Sequence, residues 1–486
     1  MAEQHVNMFS GSPLNRLSWL RSSHLFLNAV LPLPTTRWLL FNAGQPLIST
    51  KSDPSGKGER RLAYLATQDV TPLLGAEPYF GQAQSEGELV PVIQPDASGH
   101  APESPLDAVR HRGLPLVFLG LKETHMGSGA LPSSDFKDPE PAVANLKGTP
   151  YFAMDVADAD EGTVQRVLDE AGNRNSEGLK YTWSEPRSVI GFMDAFDAAV
   201  YAGGRSMVDW NYRNKFCPGC GSPNYSQWGG WKLSCMTLLP WVDTPGRKPC
   251  LTVKGLHNFT HPRTDPVVIM AVIDETGERI LLGRNRKFPG KFYSALAGFI
   301  EPGESFEDAV VREMWEEAGV QVWNVTYHSG QPWPYPANLM VGYYARADSS
   351  KPIRVDLDNE LEGGAIGFTP RYARWYTRDE IIAVFNHPTG TGLTARDNKA
   401  INDRIDNRDN RAPAANRAEM PDAWANNPGS TLASKPTPAE VNPPSGNEPP
   451  FKMPPETAIA GVLIRDWAFG KVSFDNIDIP VQKGSL

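Results

Sequence analysis

Cysteine is scarce in this chain: four among 486 residues, at positions 217, 220, 235 and 250. So little sulfur, confined to one short segment, excludes a fold stapled throughout by disulfides and makes a local metal site the natural use for those thiols. Long apolar runs are missing too. No stretch of about 18 uncharged apolar residues occurs, and the opening MAEQHVNMFSGSPLNR has no basic segment followed by an apolar one, so neither membrane insertion nor secretion is expected. A soluble cytoplasmic chain is expected. The closing QKGSL ends in Ser-Leu without the basic residue of an S-K-L address, which leaves a peroxisomal destination as the lesser alternative. Positive charge is in deficit, with 47 Lys and Arg against 56 Asp and Glu for a formal net charge of −9. That balance excludes a broad electrostatic grip on a nucleic-acid backbone, so a polyanionic ligand has to be met locally, by metal ions or single cationic groups. Apolar residues, in contrast, make up 40% of the chain, enough for real cores over two or three domains.

The segments HLFLNAVLPL, RWLLFNA, LPLVFLGL and YFAMDVA read as strands separated by Pro-, Gly- and Ser-rich loops, within a mixed α/β region over residues 1–210. From Ser188 onward apolar residues recur at helical spacing, softened or broken at Gly203 and Gly204, and lead into the cysteine segment, 211–262. Region 263–385 begins with DPVVIMAVIDETGERILLGRN, two β-type runs joined by DETGE, a hairpin signal. It continues through a strand in KFYSALAGFI and another in ANLMVGYYARAD, and closes with a helix in RWYTRDEIIAVF. Residues 386–453 are rich in Asn, Asp, Arg, Pro and Ala with few large apolar side chains, the composition of a disordered insertion. In 454–486, PPETAIAGVLIRDWAF predicts a capped helix.

The informative stretch is GFIEPGESFEDAVVREMWEEAGV, from Gly298 to Val320. Ser305 caps a helix over Phe306–Ala318, Asp308 stands three residues on in capping-box register, and Gly319 is the stop. Phe306, Ala309, Val310 and Met314 form the stripe for a core. Glu313, Glu316 and Glu317 lie at i, i+3 and i+4, where like charges repel by a few tenths of a kcal/mol per pair. Arg312 can pair with Glu316 but cannot neutralise all three, and Glu304 stands close by. Hard divalent cations favour such carboxylate oxygens, Mg²⁺ with only one or two of them plus phosphate and water. A solvated acidic face is the commoner reason for a glutamate cluster, and the spacing decides between the two.

That spacing is Gly-x5-Glu-x7-Arg-Glu-U-x-Glu-Glu-x-Gly-U, met at Gly298, Glu304, Arg312, Glu313, Met314, Glu316, Glu317, Gly319 and Val320. It resembles the signature of the Nudix hydrolases. The resemblance implies an α/β/α sandwich, here with an N-terminal mixed α/β domain and an intervening zinc ribbon, and hydrolysis of a nucleoside diphosphate linked to another moiety. It also implies that Glu313 and Glu317 ligate Mg²⁺ or Mn²⁺, helped by the Ala297 carbonyl, with Glu316 as base or further ligand. The chemistry agrees: an anionic pyrophosphate repels incoming water unless bound cations neutralise its oxygens and lower the water's pKa.

Downstream, HSGQPWPYPANLMVG resembles the S-Q-P-W-P-F-P-x-S motif of the NADH pyrophosphatase subfamily, with Gly330 and Asn338 in place of its two serines. Three prolines around two aromatics make a stiff shelf for a flat ring, and by the resemblance Gln331, Pro332, Trp333, Pro334, Tyr335, Pro336, Ala337 and Asn338 contact substrate. The alternative is a Pro-rich loop whose aromatics pack inward. Phe299 matches the position stacking on the nicotinamide end, Glu360 the downstream metal-binding Glu, Ala460 a backbone contact near the C-terminus, and His261 a substrate-touching Tyr.

Cys217-Pro-Gly-Cys220 is a tight knuckle for two thiolates, and Cys235 and Cys250 complete a soft tetrahedral set suited to structural Zn²⁺. His257 or His261 could replace Cys250, and free thiols or a redox pair are the alternative. The subfamily resemblance points to a homodimeric NADH pyrophosphatase that cleaves NADH, and less readily NAD⁺, into AMP and nicotinamide mononucleotide, with removal of NAD caps from RNA as a secondary activity. Two other readings stand beside it: a Nudix hydrolase for ADP-ribose or a dinucleoside polyphosphate, and a catalytically silent nucleotide-binding protein.

Overall fold

The computed structural model describes residues 7–51, 58–82, 108–124, 131–133, 136–174, 178–239, 241–242, 250, 252, 261–285, 291–302, 304–355, 361, 373–388 and 449–472. The chain divides into two compact units, Met1–Val267 with Gly330–Met340, and Val268–Ser329 with Val341–Leu486.

The first unit runs α1 (His24–Val30), β1 (Arg37–Asn42), β2 (Gln45–Lys51), β3 (Glu59–Leu62), β4 (Leu65–Ala66), α2 (Thr67–Leu74), β5 (Val117–Glu123), α3 (Pro139–Ala144), β6 (Gly148–Asp155), α4 (Glu161–Arg174), β7 (Leu179–Trp183), α5 (Ala195–Arg213), β8 (Asn224–Gln227) and β9 (Lys232–Cys235). Strands are ordered β3-β2-β1-β6-β5, with β4 on β1 and β7 on β2, and the β1–β6 pair is parallel. Alternation along β1 explains the layering. Trp38 and Leu40 face one core, shared with Phe26, Leu27 and Val30 of α1 and with α2 and α4, whereas Leu39 and Phe41 face a second core built on α5.

The stretch HLFLNAVLPL, expected to be a strand, is helix α1. Ser23 accepts the Phe26 N–H as its cap, Phe26, Leu27 and Val30 share one fully buried face, and Pro32 and Pro34 follow its end. Helix α5 runs unbroken through Gly203 and Gly204. A Cβ on Gly204 would stand 3.1 Å from Leu39 and 3.3 Å from Phe41, so the small residue lets the helix approach the sheet.

The second unit is built on β10 (Asp265–Asp274), β11 (Arg279–Gly283), β12 (Leu296–Phe299), α6 (Phe306–Ala318), β13 (Val322–Trp333), β14 (Asn338–Ala347), β15 (Ala373–Thr377), α7 (Arg378–Phe385) and α8 (Ile459–Ala468), with strands ordered β13-β14-β10-β11-β15 and β12 on β10. DETGE makes the expected hairpin between β10 and β11. Neighbouring residues of β14 show helices on both sheet faces. Tyr343 joins the core under α6, while the Tyr344 hydroxyl donates to Leu463 O of α8 at 2.7 Å. This is the expected α/β/α sandwich. The helix in PPETAIAGVLIRDWAF forms as α8, but Ala458 at its N-cap makes no side-chain cap bond.

The expected disordered insertion lies, over 389–448, outside the described residues. Phe451 and Met453 at its far end are buried, the Phe451 ring 4.8 Å from Tyr376 and 5.7 Å from Tyr293, so the packed chain resumes before residue 454. Among the described residues no helix is long and apolar enough to cross a membrane.

Candidate active site

Helix α6 spans Phe306–Ala318, with Ser305 accepting the Asp308 N–H at 3.1 Å and Gly319 closing the helix at φ 64°. Ala309, Val310, Met314 and Ala318 are fully buried against Val268, Met270 and Val272 of β10, which fixes the rotation of the helix about its axis. That rotation grades the glutamates. Glu317 is 3% exposed, the Glu313 side chain 13% and the Glu316 side chain 48%.

Arg312 is the hub that holds this cluster. Its Nε and Nη2 grip Glu304 at 2.8 and 2.9 Å, Nη1 reaches Glu313 at 2.8 Å and Glu316 at 3.0 Å, and Nη2 also donates to the Phe299 carbonyl at 2.8 Å. The bidentate grip holds Glu304 below the usual carboxylate range and pushes the Arg312 pKa up. One guanidinium cannot neutralise four carboxylates, so the cluster favours further positive charge.

Strand β12 supplies the floor, with Ala297, Gly298 and Phe299 passing under the helix. A Cβ on Gly298 would fall 1.8 Å from Glu313 Cδ and 2.0 and 2.2 Å from its oxygens, so the carboxylate rests directly on the glycine. Glu313, Glu316 and Glu317 are hard oxygen donors of the kind Mg²⁺ or Mn²⁺ takes, although among the described residues the four cysteines are the group whose ligand atoms lie close enough to share one ion. Phe299 is 57% exposed, available for stacking. Glu360 lies outside the described residues, although its neighbour Leu361 is buried in the core under α6. Ala460, in the first turn of α8, is buried.

The tryptophan-proline segment groups with the first unit. Gln331 is buried, its Nε2 donating to Met8 O at 3.1 Å. The Trp333 and Tyr335 rings, 5.2 Å apart, stand edge-on to Phe9 at 5.9 and 6.2 Å, and the Tyr335 hydroxyl donates to Pro186 O at 3.1 Å. Pro332 and Pro336 are half-buried, and Pro334 and Ala337 are buried. Ala337 O accepts from Asp265 N at 3.1 Å, and Asn338 begins β14. Trp333 and Tyr335 thus pack inward against the core that holds Phe9 and Tyr201, the alternative raised for this Pro-rich loop, and neither these residues nor Pro186 were singled out by sequence reasoning. The loop separations, such as 149 residues from Pro186 to Tyr335, leave no local pattern to find.

His261 is exposed and packs its ring 5.5 Å from Trp228, over which Lys232 Nζ lies at 4.4 Å. Desolvation and then the Lys232 charge lower its pKa. His257 lies outside the described residues.

Hairpin β8–β9 and its flanks bring all four cysteines together, their sulfurs within 4.8 Å of one another. Cys217 and Cys250 are 3.5 Å apart and Cys220 and Cys235 3.3 Å, with no disulfide among the four. Four sulfurs tetrahedral about Zn²⁺ at about 2.3 Å stand roughly 3.8 Å apart, so the set fits. Burial pushes Cys217 up to about 12, while the hydroxyl and N–H of Ser222 bring Cys220 down to about 6. An ion would hold all four as thiolates.

Two family models match: a Nudix domain over residues 263–392 and an NADH pyrophosphatase-like rudimentary Nudix domain over residues 35–210. The chain is 33% identical over 380 residues to the NAD-capped RNA hydrolase of Schizosaccharomyces pombe, covering 77% of this chain and 84% of that protein. It is 45% identical over 384 residues to the NAD-capped RNA hydrolase NUDT12 of Macaca fascicularis, covering 79% and 68%. Against NPY1 of Saccharomyces cerevisiae, also an NAD-capped RNA hydrolase, identity is 30% over 399 residues, covering 79% and 88%.

Proposed function

The chain belongs to the Nudix hydrolases that pair a Nudix domain with an NADH pyrophosphatase-like one, and on that premise we propose that it hydrolyses the pyrophosphate of NADH, NAD⁺ and NAD-capped RNA. The observation that carries this reading is the set of graded glutamates on α6, braced by Arg312 and cradled on Gly298. Glu313, Glu317, Glu316 and Ala297, with Glu360, would hold Mg²⁺ or Mn²⁺, which supplies charge neutralisation at the phosphates and a more acidic bound water.

The residues of the chain do the rest. Arg312 keeps the carboxylates ionised and oriented while carrying none of the reaction itself. Glu317 is buried, whereas the more exposed Glu316 would accept the proton of an entering water. Water adds at one phosphorus and the bridging P–O bond breaks, so NADH or NAD⁺ gives AMP and the nicotinamide mononucleotide, and a capped RNA gives the nicotinamide mononucleotide and a 5′-monophosphate RNA. Exposed Phe299 takes the nicotinamide ring, the segment 331–338 contributes through the half-buried Pro332, Trp333 and Pro336, and His261 and the Ala460 backbone are further contacts. The four cysteines take structural Zn²⁺, and two chains form the working homodimer.

Product analysis tests the reading: wild type with Mn²⁺ releases AMP from NADH, and Glu317→Gln loses at least about 100-fold in rate, as expected when a metal-positioning carboxylate goes. Equal turnover by Glu317→Gln, or binding of NADH without AMP release by wild type, would overturn it. Faster turnover of ADP-ribose than of NADH would reassign the substrate.

A further inference from the structure

The first unit gathers two cations on one aromatic ring. In NRLSWLR, Leu17 and Leu20 are fully buried, and Leu17 is held at φ 44°, a conformation that L side chains adopt only under constraint. These anchors turn Arg16 and Arg21 toward one indole. The guanidinium carbon of Arg21 lies 3.7 Å from the Trp231 ring centroid and that of Arg16 5.8 Å. Trp231 is fixed in turn, its Nε1–H donating to Phe118 O at 2.8 Å, and Arg16 lies across Gly203, where a Cβ would stand 3.4 Å from Nη1.

Among the described residues neither guanidinium makes an ion pair or a side-chain hydrogen bond, and Arg21 Nε is buried with no partner. The carboxylate on the adjoining strand end, Glu123, accepts instead from Asn15 Nδ2 at 3.2 Å. Burial lowers both arginine pKa values, and repulsion by Arg16 helps bring Arg21 to about 10. Two like charges gathered on one ring, with no carboxylate paired to either among the described residues, favour a counter-anion. A guanidinium fork matches phosphate oxygens in bidentate fashion. Trp19, between the two arginines in sequence, is 42% exposed and tethered through Nε1 to Pro132 O, which leaves a ring on the same loop for a base.

We propose that Arg16 and Arg21, gathered on Trp231, form a phosphodiester-binding site for the RNA body of a capped substrate, with Trp19 as a stacking ring. The inference rests on the reading of capped RNA as substrate, and it supplies the local phosphate contact that a chain of net charge −9 needs.

The test uses the full chain, a labelled uncapped single-stranded RNA read by fluorescence anisotropy, and NADH turnover in parallel. R16Q/R21Q weakens RNA binding at least tenfold at low salt and reduces the slope of log K against log salt by about 1.4, two phosphate contacts at ~0.7 each. Its NADH turnover stays at the wild-type level, which also certifies the fold. Should that variant fail to fold, R16K/R21K keeps the charge and loses the fork, so RNA binding falls at least threefold with the salt slope retained. Unchanged RNA affinity in either folded variant overturns the proposal. So does inorganic phosphate raising the wild-type melting temperature while RNA fails to bind, because the pair would then serve a free anion. If wild type releases neither AMP from NADH nor nicotinamide mononucleotide from capped RNA, the catalytic reading fails, and the anisotropy still decides whether the arginines bind RNA.

Discussion

Gly298→Ala isolates the cradle from the rest of the site, because it adds one methyl group and removes no charge. The new Cβ would sit 1.8 Å from Glu313 Cδ, against about 3.5–4.0 Å for carbon atoms in ordinary contact, so the carboxylate has to retreat by roughly 2 Å. Glu313 is the far end of a flexible side chain and 13% exposed, so it can swing outward. The fold therefore bears the low end of an overpacking cost, about 1 kcal/mol, or a melting shift of roughly 2–4 °C. Function bears more. The displaced oxygen loses its 2.8 Å bond to Arg312 and, on the proposed reading, its place as a metal ligand. Misplacement of a reacting group by about 1 Å costs on the order of 100-fold, so kcat/KM for AMP release from NADH should fall by about that factor. The assay is AMP release at saturating Mn²⁺, with thermal unfolding alongside. A folded Gly298→Ala within about threefold of wild type, less than 1 kcal/mol in the barrier, would refute the claim that the glycine exists to seat Glu313.

Phe299→Ala should leave the melting temperature unchanged, because the ring is 57% exposed, yet raise KM for NADH about tenfold, within the range for one lost stacking contact; an unchanged KM removes the ring from the binding site. Cys235→Ser should drop zinc from about one ion per chain to none by elemental analysis and lower the melting temperature, while His257→Ala retains the metal if Cys250 is the fourth ligand. Asp274 is fully buried, and although burial opposes its ionisation, hydrogen bonds from Thr276 and Arg279 win and hold its pKa below 3.8. Since the folded value is depressed, its contribution is present above pH 3.8 and lost as pH falls through that lower value. Asp274→Asn should flatten the acid limb of the stability profile below pH 3.8 and cost roughly 2–3 kcal/mol at neutral pH, discounted because Arg279 is 39% exposed. An acid limb identical to wild type would sink that account.

What the residues disclosed without coordinates follows from how far apart the interacting groups lie in the chain. Helix α6 was legible to its ends because cap, stripe and stop all act within one to four residues. Helix α1 was misread for the opposite reason: a short apolar run carries no decisive period, and the Ser23 cap that distinguishes it is a single hydroxyl. The role of Arg312 was half visible. Its pairing with Glu316 is one helical turn, whereas its grip on Glu304 and the Phe299 carbonyl needs the loop before the helix to fold back, which spacing alone does not specify. The tryptophan-proline shelf marks the far end of this scale. The residues of QPWPYP were identifiable, but their support comes from Phe9 and Pro186, so nothing near position 335 announces that Tyr335 spends its hydroxyl on a carbonyl and its ring on a phenylalanine. On the proposed reading, a residue whose donor and ring are already engaged can meet ligand only through the surface it still offers. For this segment that surface is the half-buried Pro332, Trp333 and Pro336, stiff and with little entropy left to lose, which suits a flat ring better than a group seeking hydrogen bonds.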